Sequence, residues 1–163
     1  MINLLKIEWL KIKNYTAFIV MTLFFIVGVF ALNYIVFTVN KNIVNNVPGA
    51  GLVSFSPYDF ANTWQSTSYA TGFILLLPAL LLLMLFTNEY TFKTHRQNII
   101  DGLSRQQFIS VKIMMALIFA MAATLLVIIS ALIFGFGSGT AFSLNGFVFV
   151  GYFFLKALSY NLI

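Results

Sequence analysis

The stretch NYTAFIVMTLFFIVGVFALNYIVFTVN, residues 14–40, carries no charged side chain. It is longer than the ~20 residues that an α-helix needs to cross a bilayer, and longer than the about 7–15 apolar residues of a secretory signal peptide. No small-residue cleavage motif of the Ala-x-Ala type follows it at Asn40–Asn46. We therefore predict a retained transmembrane helix over Thr16–Phe37.

The composition extends this interpretation to the whole chain. Hydrophobic residues make up 61% of the sequence and charged residues only 8%, whereas a soluble domain has about 25% charged residues. So few charges cannot cover a globule of this size, and the surrounding solvent must be lipid. The predicted fold class is an all-α polytopic membrane protein with a single transmembrane domain over residues 1–163.

Several chemistries are excluded by residue types and motifs that the sequence lacks. Cysteine is absent, so there is no disulfide, thiol nucleophile or thiolate metal site. There is no Gly-x-x-x-x-Gly-Lys-Ser/Thr phosphate loop either. The pI of about 9.6 suggests no nucleic-acid partner, because the basic residues lie beside apolar runs and act as topology signals.

Four transmembrane segments are predicted. After the first, the second covers about Tyr69–Thr87, with a kink at Pro78. The third begins after Lys112 and reaches about Phe134, before a glycine-rich loop. The fourth begins near Gly146 and is still apolar where the sequence stops.

Positive charges predict the orientation, since Lys and Arg near helix ends are retained on the cytoplasmic side. They cluster before the first span and between the second and third, at Lys6, Lys11, Lys13, Lys93, Arg96, Arg105 and Lys112. The N-terminus is therefore predicted to be cytoplasmic, in a plasma or bacterial inner membrane. Residues 38–68 then form an external loop, with a short helix near Tyr58–Trp64.

An interfacial helix is predicted over residues 1–15. Ile2, Leu5, Trp9 and Ile12 recur at steps of three and four residues and form an apolar stripe. Such a helix lies at the membrane surface, where the tryptophan ring favours the headgroup level and the lysines favour anionic lipid. Whether it is only an anchor or also holds a partner protein stays open.

The segment over residues 88–112 is predicted to be cytoplasmic and to form a docking surface. Asn98–Leu103 places Ile99, Ile100 and Leu103 near one another on a short helical turn, which Gly102 can close. Ser104 is a suitable N-cap for the helix that enters the third span. A short apolar knob with polar flanks is typical of a contact site for another protein.

At these residues the chain resembles the permease subunits of ABC transporters of the type-2 exporter class. The order of elements is similar, from the N-terminal interfacial helix to a second span that ends in a glutamate. The matching elements after it are Glu89, Thr94 with Arg96, Gly102 with Ser104 and Arg105, Phe108 and Lys112. Members of that class have six spans, so the resemblance also implies that this sequence is truncated at its C-terminus.

The resemblance implies that the segment is a coupling helix seated on a separate ATPase subunit. Its docking residues would be Asn98, Ile99, Ile100, Asp101, Gly102, Leu103, Ser104 and Arg105. Closure of two ATPase subunits would tilt the second and third spans of a homodimer or heterodimer of permeases and so move a cargo. The chain would then have no catalytic residue and bind no cofactor or metal, and ATP and Mg²⁺ would bind the partner.

Individual charged residues leave alternatives open. Glu89, Lys93, Arg96 and Lys112 are candidates for an ion pair that fixes the second span to the coupling segment, or for a gating group. Glu89 could instead be a proton or substrate site. His95 fits a surface side chain better than a metal ligand. Lys156, inside the fourth apolar run, could snorkel to the interface or be paired, and the sequence leaves its role unresolved.

Two other functions remain possible from the sequence. A non-enzymatic membrane scaffold or immunity subunit would keep the topology without needing a docking knob. A membrane-embedded transferase would need clustered Asp, His or Cys at the membrane face. The sequence offers Glu89, His95 and Asp101 without a paired arrangement, so we predict that the chain is not an enzyme.

Overall fold

The computed structural model describes residues 6, 9–10, 12–13, 15–46, 59–91, 104–139 and 141–162. These residues form only helices and their connecting turns, so the predicted all-α class is confirmed. Five helices follow in chain order: α1 Thr16–Asn46, α2 Phe60–Ile74, α3 Leu76–Thr91, α4 Arg105–Gly137 and α5 Val148–Leu162. The described residues between Lys6 and Lys13 are also helical.

Three long stretches are apolar and long enough to cross a membrane. They are Thr16–Val39, Phe60–Asn88 and Gln106–Gly137. The fourth predicted span corresponds to α5, which is apolar but only 15 residues long. Where the sequence predicted four transmembrane segments, the described residues therefore provide three long spans and one shorter helix.

The helices α1 and α2 extend into the region that we predicted as an external loop over residues 38–68. Helix α1 continues past Phe37 to Asn46, because neither proline nor glycine interrupts it before Pro48. Helix α2 begins at Phe60 rather than at Tyr69. The short helix expected near Tyr58–Trp64 is thus the first turn of a much longer one.

Hydroxyl side chains explain why the polar start of α2 is helical within an apolar bundle. Thr63, Thr67 and Ser68 donate to the carbonyls of Asp59, Thr63 and Trp64, one turn earlier, over 2.7–2.9 Å. Each hydroxyl is satisfied by its own helix and needs no water. Because the hydrophobicity pattern counts these residues as polar, it predicted that the second span begins at Tyr69 rather than at Phe60.

The second span is interrupted at Leu75, between α2 and α3. Pro78 has no N–H to donate to the carbonyl of Ile74, and its ring would clash with that carbonyl in a regular helix. The interruption at Leu75 therefore lies just before Pro78, close to the kink that the sequence predicted there. The second span consists of two helices that can have different neighbours.

Packing is closest where small side chains meet. Ala120, Ala123 and Ala157 are at most 3% exposed and bring α4 and α5 together beside Phe153. Small residues allow such close approach between helices in a membrane, where van der Waals contact replaces the hydrophobic effect. Large apolar side chains such as Phe24 and Phe73 face outward, as lipid contact requires.

The bundle has two ends, which we name after residues that lie there. The Ser104 end holds the start of α1, the end of α3 and the start of α4. The Phe60 end holds the start of α2, the end of α4 and the start of α5, where the rings of Phe60, Phe136 and Phe142 meet with centroids 4.9–6.4 Å apart.

The turn before α5 depends on Gly146, which has a φ of +91°. A Cβ at this position would lie 2.6 Å from the carbonyl oxygen of Ala61. Gly146→Ala should therefore destabilise the fold by about 1–2 kcal/mol from the backbone conformation alone, with the clash in addition. Thermal unfolding in detergent should show a lower midpoint.

Gly151→Ala is the matched control, because Gly151 lies in α5 with open space around its Cβ position. This variant should be neutral or slightly stabilised, since alanine is the better helix former. Equal unfolding midpoints for the two variants would contradict the packing of α5 against α2 through this turn.

Candidate functional site

The segment predicted to dock a partner lies mostly outside the described residues. This applies to the predicted docking residues from Asn98 to Leu103, to Lys93 and Arg96, and to the side chains of Glu89 and Arg105. Their assigned roles stay predictions. The structure does describe the two helix ends that carry this segment, with Ser104 and Lys112 among them.

Ser104 starts α4 with a reciprocal capping arrangement. Its hydroxyl accepts from the Gln107 backbone N–H over 3.2 Å, and the Gln107 side chain accepts from the Ser104 N–H over 3.2 Å. The predicted N-cap is therefore confirmed. A capping box satisfies two otherwise free backbone donors and fixes the direction in which the chain enters the helix.

The end of α3 is tied to the start of α1. The Asn88 side-chain amide donates to the Tyr15 hydroxyl over 2.9 Å, across the Ser104 end. Nearby, the Lys112 ammonium lies 4.9 Å from the ring centroid of Phe86 and 5.3 Å from that of Phe108. The contact with Phe86 links α3 to α4, and the contact with Phe108 lies within α4. Both ends of the connecting segment are thus held in place.

Open space flanks α3 on two sides. One side has an apolar cavity of about 190 Å³ between α3, α1 and α4, with the ring of Trp9 at its edge. The other side has a groove of about 530 Å³ between α3 and the end of α5. By contrast, α2 packs closely against both α1 and α4. The half-span that leads to the connecting segment is therefore packed less closely than α2.

Buried polar side chains form a second feature of the bundle interior. Asn33 of α1 donates to the carbonyl of Val29 over 2.8 Å and to the hydroxyl of Thr71 over 3.3 Å, which joins α1 to α2. Asn161 of α5 donates to the carbonyl of Ala116 over 3.4 Å. Interhelical hydrogen bonds of this kind hold helices together in lipid.

The Phe60 end is the rigid end of the molecule. The Trp64 indole donates to the Ser143 carbonyl over 2.8 Å, which fixes the turn between α4 and α5 to α2. A Cβ added at Gly135 would come within 2.9 Å of the Phe60 ring, so this ring lies directly against the α4 backbone. These contacts immobilise α2 relative to α4 and α5.

Lys156 lies in α5, and its side chain is exposed on the bundle surface. Its ammonium is 5.9 Å from the ring centroid of Tyr160 and lies against Gly72, where a Cβ would be 3.1 Å away. A charged group at this position was noticed in the sequence, but its depth and its neighbours required the tertiary structure.

The described residues do not assemble a metal centre. No group of three or more His, Asp or Glu side chains lies close enough among them to hold a metal ion. They form three features that can transmit movement. These are the rigid Phe60 end, the helix α3 with free space around it, and a connecting segment that is held at both of its ends.

The comparison with known families agrees with this arrangement. The family model described as ABC-2 family transporter protein matches residues 4–163, and the chain belongs to that family. It is therefore a multi-pass membrane permease of an ABC transporter, and members of this family normally work with an ABC ATPase. The chain matches no curated protein and no solved structure.

Sequence reasoning missed the space around α3 and the aromatic packing at the Phe60 end. Both depend on which side chains from distant helices meet, and periodicity within one helix does not report that. One signal was available in the sequence: Phe60 and Trp64 are spaced one helical turn apart, and both face the core.

Removal of the Ser104 cap tests whether this cap fixes the point at which the connecting segment joins α4. Ser104→Ala removes the acceptor for the Gln107 N–H and should destabilise the first turn of α4 by about 0.5–2 kcal/mol. Hydrogen exchange of the peptide covering residues 104–110 should speed up. Ser104→Asp keeps an acceptor and should exchange like the wild type.

Ser159→Ala is the control for loss of a hydroxyl, because Ser159 donates only to the Lys156 carbonyl of its own helix. Exchange at residues 104–110 should not change in this variant. Unchanged exchange in Ser104→Ala as well would mean that the cap does not fix the start of α4.

Proposed function

We propose that this chain is the membrane-spanning half of an ATP-driven exporter, and that residues 98–105 couple it to a separate ATPase subunit. The N-terminus and the Ser104 end would face the cytoplasm, where the ATPase lies. Two permease chains, identical or different, would form the complex with two ATPase subunits. The chain itself would supply no catalytic group and bind no nucleotide.

The observation that carries the proposal is the loose packing of α3. This helix leads directly into the predicted coupling segment and has the 190 Å³ cavity on one side and the 530 Å³ groove on the other. A push on the segment would therefore act on a helix that is packed less closely than α2. Packed cores switch between discrete arrangements rather than deforming continuously. The space beside α3 therefore favours two distinct positions of this helix.

The interruption at Leu75 supplies the hinge for such a movement. Because Pro78 leaves the carbonyl of Ile74 without its usual helical donor, bending there breaks no regular hydrogen bond. On the other side of the hinge, the hydrogen bond from Trp64 to the Ser143 carbonyl and the edge-to-face contact of the Phe60 ring with Phe136 hold α2 in place. Tilting would thus be confined to the helices at the Ser104 end.

The contacts at the Ser104 end make the movement concerted. Asn88 joins the end of α3 to Tyr15 before α1. Lys112 joins α4 to α3 through the ring of Phe86. A displacement of the segment would therefore reach the starts of α1 and α4 as well as α3, which is how a docked ATPase could act on three helices at once.

A double substitution in the segment tests the coupling. Ile99→Asp/Leu103→Asp places two carboxylates on the predicted apolar knob and should abolish co-purification of the ATPase with the permease in detergent, because burying unpaired charges in a docking groove is costly. The ATPase encoded with this chain is the probe. Wild-type permease should retain it.

Thr91→Asp/Gln106→Asp is the matched control, with the same added charge on exposed side chains at either edge of the segment. This variant should still bring down the ATPase. If the wild type retains no ATPase, coupling is refuted and a membrane scaffold becomes the better interpretation. Equal retention by all three proteins would place the docking surface elsewhere.

A further inference from the structure

The Ser104 end defines one height along the membrane normal. The hydrogen bond from Asn88 to Tyr15 puts the end of α3 beside the start of α1. On α4, Lys112 lies against the ring of Phe86, two residues before Asn88. A hydroxyl, an amide and an ammonium thus lie at the same height on three helices. Such groups favour the boundary of the hydrocarbon over its interior.

Exposed tyrosines on three helices mark a second height. They are Tyr34 of α1, Tyr69 of α2 and Tyr152 of α5, each 62% exposed, and we call them the tyrosine belt. The hydrogen bond from Asn33 to Thr71 puts the α1 and α2 members at similar heights. The ring of Phe149 lies 6.2 Å from that of Tyr69 and 6.2 Å from that of Tyr152. The α5 member is therefore within about one helical turn of the others.

The two heights are equally far apart on the first and second spans. Residues 15–34 of the first span and 69–88 of the second are stretches of equal length, each about 28 Å at a helical rise of about 1.5 Å per residue. The hydrocarbon core of a bilayer is about 30 Å thick. Each stretch therefore fills the core from one height to the other.

Helix α4 gives the same distance. The ring of Phe134 lies 5.7 Å from that of Phe37, which follows Tyr34 by three residues. Because α1 and α4 run in the same direction, the height of the tyrosine belt on α4 falls near Ala131. That position is again about 28 Å from Lys112 along the helix. Three helices thus agree on one thickness.

We propose that the tyrosine belt binds the headgroup layer of one leaflet, and that the Phe60 end is a folded cap beyond the hydrocarbon core. Tyrosine suits this height because its ring is apolar, whereas its hydroxyl can bond to lipid headgroups and water. That the cap is external rests on the proposed orientation of the chain. Its position beyond the hydrocarbon does not.

The residues beyond the tyrosine belt agree with an aqueous location. Helix α1 continues past Tyr34 for about 18 Å and carries the exposed Lys41. Helix α2 begins about 14 Å before Tyr69, with Asp59 at its N-cap. Both charges would be costly in hydrocarbon. The first turns of α2 are enclosed by the cap, which is why hydroxyls such as that of Thr67 bond to carbonyls rather than to water.

This boundary divides the second span unequally. Most of α2 lies in the cap, and the interruption at Leu75 lies about 9 Å beneath the height of Tyr69. Within the lipid, the second span therefore consists mainly of α3, the half that leads to the coupling segment. Under the proposed function, α3 would move inside the bilayer while the cap stays outside it.

Depth measurement by electron paramagnetic resonance tests the boundary. The sequence contains no cysteine, so single cysteines can carry nitroxide labels in the full chain, reconstituted in phosphatidylcholine nanodiscs. Val39 and Val27 are a matched pair on α1, 51% and 56% exposed. The label on Val39→Cys should lie about 8 Å outside the belt and collide mainly with a water-soluble nickel chelate. The label on Val27→Cys should lie about 10 Å inside it and collide mainly with oxygen.

A second pair repeats the measurement on α4. Gly137 has open space around its Cβ position, and Leu125 is 57% exposed. The label on Gly137→Cys should be accessible to the nickel chelate, and the label on Leu125→Cys should be accessible to oxygen. If either outer label is as deep as its inner partner, the hydrocarbon covers the Phe60 end and the proposal is overturned.

Substitution of the belt tests whether the tyrosines hold this height. With leucine at Tyr34, Tyr69 and Tyr152, the label on Val39→Cys should move toward the hydrocarbon, because leucine has no preference for the interface. Tryptophan at the same three positions should keep the label at its original depth, since tryptophan also favours the interface. An unchanged depth in the leucine variant would show that the belt does not bind the headgroup layer. The two single-cysteine pairs do not depend on the folding of this variant.

The side of the membrane is determined separately. A membrane-impermeant maleimide should label Gly137→Cys in intact cells if the cap is external. Labelling only after permeabilisation would refute the external cap and with it the orientation in the proposed function. The depths of the nitroxide labels do not depend on which side the cap occupies, so failure of the orientation and failure of the boundary are distinguishable.

Discussion

Lipid provides no hydrogen-bonding partner for the backbone, and the architecture of this protein depends on that constraint. Every helix that crosses the membrane must satisfy its own N–H and C=O groups, and polar side chains must do the same. The first turns of α2 meet this requirement through hydroxyls that donate to carbonyls one turn earlier, as Thr63 and Thr67 do. A polar sequence is thereby made compatible with a buried helix.

One backbone carbonyl in the second span is an exception to that rule, and the two halves of this span differ as a result. Pro78 leaves the carbonyl of Ile74 without its helical donor, and the second span divides at Leu75. The half toward the Phe60 end is fixed by aromatic contacts and by the hydrogen bond from Trp64. The half toward the Ser104 end is flanked by a cavity and a groove. A rigid part and a movable part are therefore built from a single span.

This division gives a physical basis for the proposed transport. In a uniformly packed bundle, a force applied at one end would be spread over all the helices. In a bundle with a hinged half-span, the force would act mainly on α3, which forms one wall of the groove.

The sequence by itself determined the class of the fold, the presence of several long apolar spans, the kink at Pro78 and the cap at Ser104. All of these follow from local chemistry: runs of apolar residues, a missing N–H and a hydroxyl before a helix. The true length of α1 and α2, the space around α3 and the surroundings of Lys156 were decided only in the tertiary structure. Each depends on side chains far apart in the chain that meet across helices, such as Asn33 with Thr71.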